Sequence, residues 1–287
     1  MLIDYHIHLK GRYQREFLDK YIENGVNKGI KEFCITEHVH RFKETIDIPN
    51  RIIKKFGDNE NTNFMKEWWT ERCTKTIDEY VNFIHGLKDE GYPVKLGCEM
   101  DFLDEPILES IVKDYPWDFI IGSVHWIQGW GFDHLDREWT WQSRDIDLVY
   151  KKYFNLIKEA AKSGMFDVIG HFDVIKVFGY YPSGEWSSLV EETLEEIIQN
   201  KIGIEVNTAG WRKPIGEIYP GEKILKQCKK YGIHITLGSD AHQPEEVGYG
   251  FDRALMLLDK IGYRFLTIYD KRKDYQIPIE DKANGNI

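Results

Sequence analysis

Seven of the ten histidines, His6, His8, His38, His40, His125, His171 and His242, fall at or just beyond the ends of short apolar runs. The carboxylates Asp4, Glu37, Glu99, Asp101, Asp173 and Asp240 hold equivalent positions. The stretch ITLGSDAHQPEEVG at 235–248 shows the pattern in small compass: an apolar run stops at Ser239 and delivers Asp240 and His242 two residues apart. Imidazole and carboxylate without thiolate suit zinc, manganese or iron, and disfavour calcium or a cysteine-rich structural zinc. Gathering so many titratable groups with no cation would cost several kcal/mol per buried charge. A multinuclear metal site removes that cost, and it is the chemistry this pattern favours.

Within the set, His6-x-His8 is the strongest single element, because side chains at i and i+2 of a strand point the same way. A lone pair of this kind is more often a satisfied core pair than a ligand pair. The weight comes from recurrence at strand after strand. Glu99, in mid-cluster after Gly97 and Cys98, is placed to bridge two ions. His85, His134 and His234 lie away from such ends.

Positioning these groups requires many strands that end at one place. Strand candidates occur at 2–8, 31–38, 93–102, 119–126, 167–173, 202–208 and 234–240. Helix-period segments separate them near 14–29, 64–90, 105–114, 145–163, 187–200, 220–231 and 244–261. In DLVYKKYFNLIKEAAKSG, Leu148, Tyr153, Phe154, Leu156 and Ile157 share a side and Gly164 marks the stop. Successive β-α units predict a parallel sheet, and in a β/α barrel the strands' C-terminal ends converge on one mouth. The expected architecture is a single domain over 1–270 followed by a polar tail, 271–287.

Composition narrows the function. A net charge of −10 disfavours a general nucleic-acid binder. No apolar run approaches the length of a membrane helix, and MLIDYHIHLK does not read as a signal peptide. Cys34, Cys73, Cys98 and Cys228 form no CxxC pair, which suits buried thiols in a reducing compartment. A cytoplasmic location is expected, and oligomeric state is not legible.

The motifs DYHIHL (4–9), ITEH (35–38), GCEMDF (97–102), IGSVHWI (121–127), IGHFDVIK (169–176), EVNTAGWRK (205–213) and GSDAHQPEEVG (238–248) resemble, in order, those of the PHP (polymerase and histidinol phosphatase) family. The likeness is greatest to its stand-alone histidinol-phosphatase branch. The resemblance implies a distorted, TIM-like (β/α)7 barrel with two or three divalent ions at the C-terminal strand ends. Carried over position by position, His6, His8, Glu99 and Asp240 would hold one ion and Glu99, His125 and His171 a second. His38 and His242 would contribute to a third. Trinuclear relatives usually carry another His shortly after HxH, whereas LKGRYQREF has none. Weak third-site occupancy is therefore expected; His40 could complete that site, or Arg12 could replace its charge.

The expected activity is a phosphomonoesterase that hydrolyses L-histidinol phosphate to L-histidinol and phosphate, in histidine biosynthesis. Attack is expected from a hydroxide bridging the metals, without a phosphoenzyme, since no Ser or Cys elbow and no GxxxxGK[ST] loop is present. Glu99 and Asp240 are the expected catalytic carboxylates, with Asp240 able to accept or relay a proton. Arg212, Lys213 and Arg12 are the candidates for phosphate capture, Arg for its planar fork. Trp126, Trp130 and Trp211 are candidate substrate walls, and the insert around His134 could cover the mouth. Two other readings stay open: a PHP phosphoesterase for nucleotides or sugar phosphates, and a non-catalytic metal-binding or polymerase-accessory module.

Overall fold

Leu2–Ile7 reads LIDYHI and is buried at nearly every residue, as a strand covered on both faces must be. Six more strands follow it in parallel: Ile30–His38, Val94–Asp101, Phe119–Ser123, Val168–Ile169, Gly203–Asn207 and Ile235–Gly238. They pair in chain order, and the edges approach each other where Ile7 bridges Ala241. Two backbone hydrogen bonds hold that closure, His8 N to Ala241 O at 2.8 Å and Ala241 N to His6 O at 3.1 Å. The computed structural model describes residues 1–103 and 108–279. Among these, the seven strands form the nearly closed α/β barrel that the strand and helix periodicities predict.

Register decides which polar ends meet. His38 stands opposite Glu99 across the second and third strands, and Asp101 stands opposite Ser123 across the third and fourth. Every strand therefore delivers its polar end to the same mouth.

The helices largely follow the apolar periodicity, with informative differences. Ile146–Lys162 is capped by Asp145, whose carboxylate accepts from Leu148 N at 3.0 Å, and Gly164 beyond it has φ +67°. It buries Val149, Tyr150, Tyr153, Phe154, Leu156 and Ile157, whereas Leu148 is exposed. The segment read as one helix at 64–90 is two, Glu60–Arg72 and Ile77–Asp89. Thr76 and Glu79 form a reciprocal capping box that starts the second. A further helix, Ile48–Phe56, begins around Pro49. The expected helix at 105–114 appears as Glu109–Asp114, and its expected start at 105–107 lies outside the described residues.

The stretch expected as a polar tail from 271 does not begin there as a tail. Lys273–Pro278 pairs antiparallel with Phe265–Asp270, and residues 280–287 lie outside the described residues. The hairpin closes the bottom of the barrel through Arg272, whose Nε donates to Asp167 Oδ1 at 3.0 Å and whose Nη2 donates to Met165 O at 2.8 Å. Burial pushes the Asp167 carboxyl up to about 6, against the opposing pull of Arg272. The folded carboxyl thus holds its proton more tightly than the unfolded one. Its favourable contribution is complete below about pH 4 and is lost as pH rises through about 6. Arg272 offsets that loss only where Asp167 is charged. Arg272→Ala is expected to destabilise the fold by about 1–3 kcal/mol at pH 8, and by less at pH 5. Urea unfolding at the two pH values checks this; an equal gap at both would assign Arg272 a pH-independent packing role.

Candidate metal centre and substrate cleft

The barrel mouth gathers all eight candidate donors, His6, His8, His38, Glu99, His125, His171, Asp240 and His242. His6 Nε2 and His8 Nε2 lie 3.4 and 3.5 Å from Glu99 Oε2, and 3.8 and 3.4 Å from Asp240 Oδ1. On the other side of the same carboxylate, Glu99 Oε1 lies 3.0 Å from His171 Nε2 and 3.6 Å from His125 Nε2. The two imidazole nitrogens there are 3.1 Å apart. A third group joins His38 and His242, 3.3 Å apart at Nε2, to His8, whose ring stacks on His38 at 3.9 Å. The third imidazole beside His38 and His242 is thus His8. His40 is buried, packed on the His38 ring at 4.6 Å and against Trp68 at 4.4 Å.

Other groups aim these donors. Glu205 Oε1 lies 2.5 Å from His6 Nδ1, and its second oxygen accepts from His171 N at 2.9 Å. Gly238 makes room for that contact, since a Cβ there would lie 2.3 Å from Glu205 Oε1 and 2.6 Å from His6 Cβ. Asp101 Oδ1 lies 2.7 Å from His125 Nδ1, and Ser123 Oγ donates to Glu99 Oε1 at 2.6 Å. Asp4 accepts from Ser239 N and Gly248 N at 2.9 and 3.0 Å and so anchors the last strand end to the first. Glu37 accepts from Gly11 N at 2.8 Å and orders the loop after HxH. Asp173 pairs with the buried Lys176 at 2.8 Å. Asp240 itself adopts φ +53°, which turns its carboxylate inward.

Several of these atoms are buried without a hydrogen-bond partner: His6 Nε2, both ring nitrogens of His8, Glu99 Oε2 and His171 Nδ1. His38 Nδ1 lies 2.6 Å from Glu99 Oε2 but without hydrogen-bond geometry. Lone pairs facing one another at this spacing fit a shared cation. A tetrahedral ion bonded at about 2.1 Å has ligand atoms about 3.4 Å apart. For Glu99, His8 and His242 the charge states are those of metal donors. Burial would raise Glu99, but His38, His6 and His125 hold it well below the usual carboxylate range. Burial and the His38 and His242 rings push His8 down, leaving a neutral imidazole. Burial likewise takes His242 down to about 3. His6 goes the other way: burial is overruled by Glu205, Asp240 and Glu99. The residues fit divalent ions.

Outside the donors lies a cleft of about 280 Å³. Trp68, Arg72, Trp126, Asp133, His134, Arg41, Lys213 and Tyr219 line it. The insert after the fourth strand supplies Asp133 and His134, and Arg137 ties it to the helix Glu60–Arg72 through Glu60 at 2.9 Å. Of the residues expected to bind phosphate, Lys213 is at the rim. Arg12 is exposed, with its guanidinium over Phe17 at 5.2 Å, and does not line the cleft. Arg212 stands behind the wall: its Nη2 donates to Ser239 O at 2.9 Å and to Asp240 O at 3.0 Å. One arm of the fork expected on phosphoryl oxygens is thus engaged by the turn that carries Asp240, while Nη1 is buried without a partner. Trp126 lines the cleft, whereas Trp130 is bonded to Thr140 at 2.9 Å and Trp211 lies under Arg253 at 4.3 Å. Glu205, Arg41, Arg72 and Asp133 were not singled out by the strand-end pattern. Glu205 could have been found from alternation, since it shares a face with Asn207.

Comparison with known proteins gives a consistent picture. A model described as PHP domain matches residues 4–209. The Deinococcus radiodurans protein named "Probable histidinol-phosphatase" is 32% identical over 258 residues, covering 88% of this chain and 90% of that one. The histidinol-phosphatase of Bacillus subtilis is 27% identical over 262 residues, covering 83% and 91%. Among solved structures, the histidinol phosphate phosphatase of Lactococcus lactis, complexed with zinc, L-histidinol and phosphate, shares the fold. Its TM-score is 0.68 at 21% identity, with 96% and 98% of the two chains covered.

Proposed function

Since the chain belongs to the PHP domain family, we propose that this mouth hydrolyses L-histidinol phosphate to L-histidinol and phosphate, with divalent metals as cofactors. The observation that carries the reading is the set of buried imidazole and carboxylate atoms converging on the two oxygens of Glu99, with His6 Nε2, His8 Nε2 and Glu99 Oε2 left without a hydrogen-bond partner. The names of the relatives, which match along most of the chain, support the substrate. His6, His8, Glu99 and Asp240 would hold one ion, and Glu99, His125 and His171 a second. His38 and His242, with His8 beside them, would hold a third. Zinc, manganese or iron bound there would supply Lewis acidity toward phosphoryl oxygens and lower the pKa of water.

The chain's own groups do the rest. Asp240, whose Oδ2 accepts from Asn207 Nδ2 at 3.3 Å, would take the proton of the attacking water at Oδ2, leaving Oδ1 to the ion. Lys213 and Arg41 place positive charge at the phosphate end of the cleft, which an acidic protein must supply locally. Asp133 offers a carboxylate to the substrate's ammonium group, and Trp68 and Trp126, packed edge to face at 5.3 Å, offer a single aromatic wall to its imidazole. No described helix is long and apolar enough to cross a membrane, and the four cysteines are free and buried, in keeping with a cytoplasmic enzyme.

The test is kcat/KM for L-histidinol phosphate against AMP and glucose 6-phosphate, with manganese or zinc supplied. A preference of roughly a hundredfold or more is expected, because analogues lacking the ammonium leave Asp133 unpaired. Equal turnover of a nucleotide or sugar phosphate would overturn the substrate assignment.

Arg212→Ala is expected to weaken metal binding by about tenfold and to lower kcat, because the Ser239–Asp240 turn loses its clamp. Metal titration together with steady-state kinetics checks it. A raised KM with metal affinity intact would return Arg212 to phosphate binding.

A further inference from the structure

Tyr219 is only 2% exposed, yet its hydroxyl has no hydrogen-bond partner among the described residues. Buried phenols nearly always have one, so this hydroxyl is available to something that enters the cleft. The residue is held firmly. Its backbone exchanges two hydrogen bonds with Asn207, at 2.7 and 3.0 Å, at the end of the sixth strand. Lys176 Nζ stands 5.4 Å from the ring centroid. Gly210 lets the segment close, because a Cβ there would lie 2.9 Å from the Tyr219 ring and 1.9 Å from Glu217 O.

The ring lines the same cleft as Asp240 and His171 at the metal end and Asp133 at the outer end. Tyr219 shares this lining with the metal donors and with Asp133, and so borders the junction of the two ends. A phosphate ester bound with its phosphoryl group at the metal end and its organic part against Asp133 has its ester oxygen at that junction. We propose, resting on the phosphomonoesterase reading above, that the Tyr219 hydroxyl donates a hydrogen bond to the ester oxygen of the substrate and to the alkoxide it becomes. As the P–O bond breaks, its electron pair passes to that oxygen, where the hydrogen bond stabilises the growing charge. The phenol keeps its proton, and the alkoxide takes one from water. Burial, with Asp173 and Asp133 nearby, pushes the phenol's pKa up, which suits a donor that does not ionise.

A hydrogen bond of this kind matters in proportion to the basicity of the leaving group. The experiment compares Tyr219→Phe with wild type, both loaded with manganese, on L-histidinol phosphate and on p-nitrophenyl phosphate. Expected for the variant is a kcat about ten to a hundred times lower on the alkyl ester. On the aryl ester, whose nitrophenolate leaves unaided, the loss should stay under about threefold. Metal content should be unchanged, and the thermal midpoint equal or higher, because an unpaired buried hydroxyl has been removed. An unchanged kcat on the alkyl ester, equal losses on both esters, or a loss of metal would overturn the proposal. Failure of the histidinol reading is separate: wild type would ignore histidinol phosphate while hydrolysing another alkyl phosphate, and the same comparison would then be made on that ester.

Discussion

Glu99→Gln is expected to lower kcat on L-histidinol phosphate by a thousandfold or more, on the order of 4 kcal/mol in barrier height. The carboxylate serves both principal donor groups: Oε2 faces His6 and His8, and Oε1 faces His125 and His171. An amide of the same shape keeps the packing but presents only one oxygen and removes the negative charge that balances two cations. The fold should survive, since Glu99 is replaced by an isosteric side chain and Ser123 can rotate its hydroxyl. Steady-state kinetics with metal content per chain checks this. Near-normal turnover with both metals retained would contradict a shared carboxylate.

The double change His6→Ala with His8→Ala should have the next largest effect: activity at background, and loss of metal at the first donor group. It also predicts a stability signature. A ligand present at about a thousand times its Kd stabilises the folded state by about 4 kcal/mol. For a domain of this size that is on the order of ten degrees in thermal midpoint. Chelation should therefore lower the wild-type midpoint by at least that amount, and the double variant's by clearly less, because the variant keeps only the donor group of Glu99, His125 and His171. Equal shifts in both proteins would mean that the chelated ion sits elsewhere.

How much of this was legible in the sequence follows from the periodicities involved. A parallel strand is apolar on both faces, so a His or Asp at its end interrupts the run visibly, as at His38, His171 and Asp240. Six of the seven strands could be read this way, even Val168–Ile169, which is only two residues long, whereas Gly203–Asn207 ends on an amide. Glu205 was harder, because it lies within an apolar strand rather than at its end, and only its contact with His6 reveals its purpose. Arg212 shows another limit: a guanidinium on a loop can reach in several directions, and sequence does not say whether it meets a ligand or a carbonyl. The break between Glu60–Arg72 and Ile77–Asp89 was readable in the Thr76-x-x-Glu79 spacing, but the apolar period runs across it. The Lys273–Pro278 strand reads as polar because it is largely exposed; pairing with Phe265–Asp270 defines it, and pairing is not a local property.

The central claim is that phosphate ester hydrolysis depends on metals held at this mouth. Its most direct test is a titration of metal-stripped protein with Mn²⁺ or Zn²⁺ while phosphate release from L-histidinol phosphate is followed. No release is expected without metal, and a rise to full rate is expected as two equivalents per chain are bound. Turnover by metal-free protein, or a fully loaded protein that releases no phosphate, would contradict it.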